Sequence, residues 1–244
     1  MIFGRKKSDA ESAVEEELAV SPSVEDAEES EEALDAGADS DADPASEADE
    51  AEAWDAAFAR EEGPFDITEV DLDVDADEVK RIDLGTLIIT PFPGMTMQLS
   101  LRREDNVLQS ILVGDGESGL EVALFAGPSK SSMAAEIRAE IFEGTRKQGG
   151  QVKAVQGPFG AELRRAVPMA DPEGRQALHI SRTWLVSGPG WLLRGVLLGK
   201  ATFEPNNEEA NLALFEFFSN LVVRRGTKAA APGTALPMKM PEQE

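Results

Sequence analysis

The sequence predicts an α+β domain: a largely antiparallel sheet packed by two amphipathic helices, preceded by a disordered acidic arm. Three observations predict it. Charge is partitioned, with 30 acidic and 6 basic side chains in residues 1–83 and a nearly neutral remainder. From residue 86 onward short β-compatible runs alternate with turn residues, and connections that short join antiparallel strands. Two longer segments carry apolar stripes at helical spacing, and helices placed late in such a chain cover a face or an end of the sheet. The division that results is an arm over 1–62, an extended lead-in over 63–84, a globular domain over 85–226 and a loose tail over 227–244.

Each element follows from its residues. The arm is mostly Ala, Glu, Asp and Ser, so it has too little to bury to offset roughly 1–2 kcal/mol of backbone entropy per residue. Trp54 and Phe58, at i, i+4 spacing, mark the one place where transient helix is expected. The lead-in, "EEGPFDITEVDLDVDADEVKRIDLG", sets sparse apolar anchors in an acidic background and docks on the domain surface. Strands are predicted at 86–90, 96–101, 107–113 and 120–125, separated by "PFPG", "REDN" and "GDGESG". A helix follows over 131–148, with Met133, Ile137 and Ile141 on one face, Ser131 or Ser132 as its cap and Gly149 at its end. Strands resume at 152–155, 162–167 and 178–186. A second helix begins after Pro205, with Asn206 and Glu209 at capping-box spacing and Leu214, Phe215, Phe218, Leu221 and Val222 as its stripe.

"SGPGWLLRGVLLGKAT", residues 187–202, holds four glycines and invites comparison with a phosphate-binding loop. A P-loop needs Gly-x4-Gly-Lys-Ser/Thr; after Gly190 and Gly195, Val196 stands where the lysine belongs. The dinucleotide pattern fails too, since Leu193 occupies its third glycine position. Pro189-Gly190 suits the centre of a type II turn between apolar runs, so the stretch reads as a hairpin, with Gly195 and Gly199 marking a bulge or close packing.

Chemistry is sparse. There is no cysteine, which excludes disulfides and thiolate sites and fits a reducing cytoplasm. No run is apolar enough to span a membrane, and the head "MIFGRKK" is too short to anchor stably in one. His179 is the only histidine and has no triad partner nearby in sequence. Asp39, Asp41, Asp43 and Glu50 match four positions of a calcium loop, but Pro44 replaces the glycine of its turn. Asp71, Asp73, Asp75 and Asp77 alternate without a twelfth-position acid. No catalytic residue, metal site or cofactor is predicted. The candidate binding residues are Arg102, Arg103, Arg164, Arg165, Arg182, Arg194, Arg224 and Arg225, together with any exposed parts of Trp184 and Trp191. They point to a non-enzymatic cytoplasmic protein-interaction domain with a protein partner. The alternative is a nucleic-acid or nucleotide-metabolism accessory factor whose clustered arginines bind phosphates, with the acidic arm folding back to screen them.

The succession "MIFGRKK", acidic tail, "GPFDITEVDLDVDADEVKRIDLGTLIITPFPGMTMQL", "EIRAEIFEGTRKQGGQVKAVQGPFGAELRRAVPM" and "WLLRGVLLGKA" resembles an actinobacterial domain of unknown function family, DUF3710, over about residues 63–241. The resemblance implies a cytoplasmic bacterial protein, genes nearby for a deoxyuridine triphosphatase and an OB-fold protein, and no family-defined catalytic residues. The strand-rich order closing in a hairpin and a helix is also similar to the Mog1/PsbP-like sandwich.

Overall fold

A computed structural model describes residues 44–74, 78–170, 174–203 and 208–241, leaving aside the side chains of 44–46 and 208–211. Seven strands form one antiparallel sheet: β4 (Thr96–Leu101), β5 (Leu108–Gly114), β6 (Ser118–Ala126), β7 (Gln151–Gly157), β8 (Gly160–Ala170), β9 (Gln176–Gly188) and β10 (Trp191–Gly199). Their spatial order is β4-β5-β6-β10-β9-β8-β7. Two meanders of short-turn hairpins therefore meet at the β6/β10 pair. Helix α2 (Ala134–Lys147) carries the chain from the middle of the sheet to its far edge.

A smaller sheet, β1-β11-β3-β2, gathers β1 (Phe65–Asp66) and β2 (Ile82–Asp83) of the lead-in with β3 (Leu87–Ile89) and β11 (Val222–Val223). The lead-in thus docks by strand pairing.

Period-2 alternation sends the large side chains of β10 to opposite faces. Trp191, Leu193 and Leu197 join Leu214, Phe217, Phe218 and Leu221 of helix α3 (Glu208–Ser219) and its exit in the main core. On the reverse face Leu192 and Leu185 pack with Met133 and Ala134, and Ile137 rests against them. Met133 and Ile137 of the predicted α2 stripe are thereby placed. The N-cap position falls on Met133, one residue past the expected serines, and has no side-chain cap bond; Ser132 Oγ accepts the Ala134 N–H at 3.1 Å from just before it. The Asn206–Glu209 capping box lies outside the described residues.

The glycine-rich stretch is the β9–β10 hairpin, paired from Gly188↔Trp191 onward. Gly190 has φ +78, the positive value a type II turn requires after proline. Gly195 serves close packing: a Cβ there would stand 2.7 Å from Phe218 Cε2 and 3.2 Å from Trp184 Cε3.

Two boundaries differ from expectation. The tail does not hang loose. Past Ser110↔Ala123, β5 and β6 are no longer paired, and the tail inserts between them, where Leu236 N–H donates to Leu124 O and Met238 N–H to Leu108 O. Leu236 and Met238 are buried there. The arm does not run unstructured to residue 62 either, because Pro44–Ala57 form helix α1 on the β7–β8 side of the sheet. Residues 1–43, including the "MIFGRKK" head, lie outside the described residues.

Candidate functional site

Helix α1 is held by very little, and what holds it is specific. It contains no Leu, Ile, Val or Met. Its inward side presents Glu47, Ala51, Trp54 and Asp55, followed by Phe58, and of these only Ala51 is fully buried. Asp55 supplies the clasp. Its Oδ2 accepts from Arg138 Nη1 of α2 at 2.6 Å, and its Oδ1 accepts the Ala161 N–H of β8 at 2.9 Å. Arg138 is 5% exposed, so the pair is largely withdrawn from water, where a charge-assisted bond is stronger than its surface counterpart. Three residues on, Phe58 sets its ring edge-on to Phe159, centroids 6.0 Å apart. Phe159 in turn contacts Trp184, Phe215 and Phe218. The arm is thus keyed to the aromatic core at one point and to a buried cation at another.

Two hollows flank this helix. One, about 640 Å³, lies at its C-terminal end among Asp55, Phe58, Arg60, Phe65, Phe159 and Ser187. The other, about 510 Å³, lies between α1 and α2 among Glu47, Ala51, Glu52, Arg138, Phe142 and Arg146.

Sequence reasoning missed Arg138 and Asp55 as a pair. The signal was the Trp54/Phe58 spacing, which implies a face, while nothing distinguishes Asp55 from its acidic neighbours.

The predicted arginines do not converge. Arg102 and Arg103 sit on the β4–β5 turn, and Arg164 and Arg165 sit on β8, five strands across the sheet, roughly 24 Å at ~4.8 Å per strand. Neighbours on a strand face opposite ways, so Arg164 and Arg165 are themselves divided. Carboxylates claim several of them. Arg102 pairs with Asp105, Arg224 with Asp83, and both Arg164 and Arg182 with Glu162. Arg225 donates to the carbonyls of Gly190 and Lys228. Arg194 lies over the Phe125 ring, 5.4 Å from its centroid.

Trp184 and Trp191 have no exposed part, at 0% and 1%. Both are core residues whose indole N–H groups donate to carboxylates, Trp184 to Glu162 and Trp191 to Asp66, each at 2.8 Å. An indole buried for its area still needs an acceptor for its one donor.

Asp66 is a second buried acid. Burial pushes its carboxyl up, but hydrogen bonds from Thr68 Oγ1, the Thr68 N–H and Trp191 Nε1, with the charge of Arg60, outweigh this and hold it below the usual aspartate range. Asp83 is likewise held low against its burial, by Arg224 and the Gly85 N–H. A depressed folded-state pKa contributes stability above the unfolded value that is lost as pH falls through the folded one. Urea midpoints are therefore expected to decline progressively below about pH 4. Asp66→Asn is expected to flatten part of that decline, and an unchanged acid limb in this variant would contradict the assignment.

His179 lies on β9 opposite Val167. Among the described residues no group of three or more His, Asp or Glu is placed to hold a metal ion. Glu50 of the calcium-loop pattern is exposed on α1, and Asp39, Asp41, Asp43, Asp75 and Asp77 fall outside the described residues. No described helix is long and apolar enough to cross a membrane.

Fold and site together define an α+β antiparallel-sheet domain that carries an acidic helix in a groove on one side. The chain belongs to the family described as "Protein of unknown function (DUF3710)", whose model matches residues 63–244 and begins after α1. No curated protein matches it. Among solved structures the chain is similar to the solution structure of cyanobacterial PsbP (CyanoP) from Synechocystis sp. PCC 6803. The TM-score is 0.38 at 12% identity, covering 60% of this chain and 92% of that one. A likeness at that TM-score carries no argument about this chain.

Proposed function

We infer that the protein is a non-enzymatic, cytoplasmic protein-interaction domain. The observation that carries this reading is the seating of α1: a helix outside the family-matched region rests in a groove where a buried arginine and a backbone N–H share the carboxylate of its Asp55, and the Phe159 ring meets Phe58 just past its end. A surface that holds one helix by so few keyed contacts has the properties of a helix-recognition groove. The nucleic-acid alternative loses support from the arginines, which are dispersed and in several cases paired to carboxylates. A single face of unpaired cations is what phosphate binding needs.

Crosslinking capture from native cytosol with the full-length chain separates the two. A discrete protein retained at high salt is expected. Retention of nucleic acid alone, lost steeply as salt rises, would overturn the reading.

A further inference from the structure

The groove that seats α1 is better made than the helix inside it. On the receptor side, Arg138 is buried and the Ala161 N–H points at the same carboxylate, so both oxygens of Asp55 are fixed. The next residue back, Gly160, passes so close that a Cβ on it would stand 2.7 Å from Asp55 Oδ1. Along the groove α2 offers Arg138, Arg146 and Lys147 against one carboxylate, Glu143. On the ligand side, α1 is short, strongly acidic and without branched apolar side chains. Such a helix is marginal in isolation, and its like charges weaken it further.

The fit is also incomplete. Ala48 and Ala51 border the 510 Å³ hollow that Phe142 also lines, and the other α1 side chains around it are the carboxylates Glu47 and Glu52, so α1 brings it no large apolar group. A helix with the same keys and a bulkier apolar residue at the place of Ala48 would bury more surface against α2. The short connection of α1 to the domain adds to what the Asp55 and Phe58 contacts hold. There Arg60 donates to Pro64 O and pairs with Glu69, and so short a tether gives a cis ligand an effective concentration on the order of millimolar.

We propose that the groove between α2 and the β7–β8 hairpin is a receptor for an acidic helix of a partner protein with the pattern Ala-x-x-x-Asp-x-x-Phe, and that α1 with the residue after it, presenting Ala51, Asp55 and Phe58, is the built-in competitor such a partner displaces. This rests on the interaction reading above and names its chemistry. Asp supplies the carboxylate for Arg138 and Ala161, Phe takes the edge-on position against Phe159, and Ala permits the closest approach. The competitor sets a threshold, so that only a helix that fills the hollow as well as the keys wins the groove.

The test uses full-length chains and a fluorescein-labelled peptide with the sequence of residues 44–62, followed by anisotropy. Asp55→Lys places a cation against Arg138 and releases the chain's own helix, so this variant is expected to bind the wild-type peptide on the order of tenfold or more tighter than the wild-type chain does. Arg138→Glu is expected to lose the wild-type peptide and to bind the peptide carrying Asp55→Lys, a reversal that a misfolded chain cannot produce. The peptide with Ala48→Leu is expected to bind several-fold tighter than its parent.

Equal binding of the wild-type peptide by the Asp55→Lys and wild-type chains would overturn the proposal, as would indifference of the Arg138→Glu chain to the peptide's charge. Dimers that grow with concentration and that the peptide does not dissolve would assign the groove to a second copy, and would overturn it as well. A cytosolic partner retained unchanged by the Arg138→Glu chain would leave the interaction reading standing and remove only this one.

Discussion

Glu162→Ala is expected to lower the unfolding free energy by about 3–5 kcal/mol, the usual consequence of stripping one partner from a buried ion pair. Glu162 is 0% exposed and Arg182 3%. Its carboxylate accepts from Arg182 Nε at 2.9 Å and Nη2 at 2.7 Å, from Trp184 Nε1 at 2.8 Å and from Arg164 Nε at 3.0 Å. The remaining arm of the Arg182 fork donates to Ala201 O, and its guanidinium lies 5.8 Å from the Phe215 ring centroid.

Removing the carboxylate leaves the Arg182 cation buried with only the Ala201 carbonyl to accept from it, and the Trp184 indole N–H buried without an acceptor, beside the aromatic cluster that α3 packs upon. The cost arises from what is left unpaired rather than from the attraction lost. Replacing both members, Glu162→Leu with Arg182→Met, is therefore expected to recover the part of the loss due to the stranded cation, because an apolar pair of similar volume has no charge to desolvate, and to leave the part due to the Trp184 indole N–H. Urea unfolding of the three variants measures this. A single-variant loss below about 1 kcal/mol would place the pair in water after all.

That network shows how far the sequence was legible. Strand alternation, the turns and the amphipathic stripes could be read from residues within a few positions of one another, and β4 stands where the alternation puts it; the second stripe was read too far, because α3 ends at Ser219 and Val222 opens β11. The register could not. Glu162 meets Trp184 and Arg182 because β8 and β9 pair Glu162↔Trp184 and Arg164↔Arg182. Read alone, Arg164, Arg182 and the tryptophans look like a binding surface.

The docked tail was hidden for a related reason. Its attachment is mostly backbone, filling the space where β5 and β6 part, with only Leu236 and Met238 to declare it. Helix α1 was half visible. The Trp54/Phe58 spacing implied a face, but nothing in the sequence marks Asp55, among so many acids, as the partner of a buried arginine.

Gly63 carries the other large expectation, and it isolates a packing constraint from a conformational one. Its φ of 88° and ψ of 179° fall in a region that is essentially glycine's alone. A Cβ there would stand 1.9 Å from Ser219 O and 2.9 Å from Ser219 C at the end of α3. Both are backbone atoms that cannot swing aside as a side chain can. The same few residues begin the small sheet, where Phe65 N–H donates to Leu221 O at 2.9 Å and Ile67 N–H to Val223 O at 2.9 Å. Relief of the clash must therefore pull β1 from β11 or lift the end of α3 from the core.

Gly63→Ala is expected to cost about 3 kcal/mol or more, summing the strained backbone and the overpacking. Gly94 supplies the control. It has φ +80 with nothing within 4 Å of its would-be Cβ, so Gly94→Ala bears conformational strain alone, about 1–2 kcal/mol. The gap between the two variants in urea unfolding reads the contact between the start of the family domain and α3. Equal losses at the two positions would mean that this contact does not constrain the folded chain.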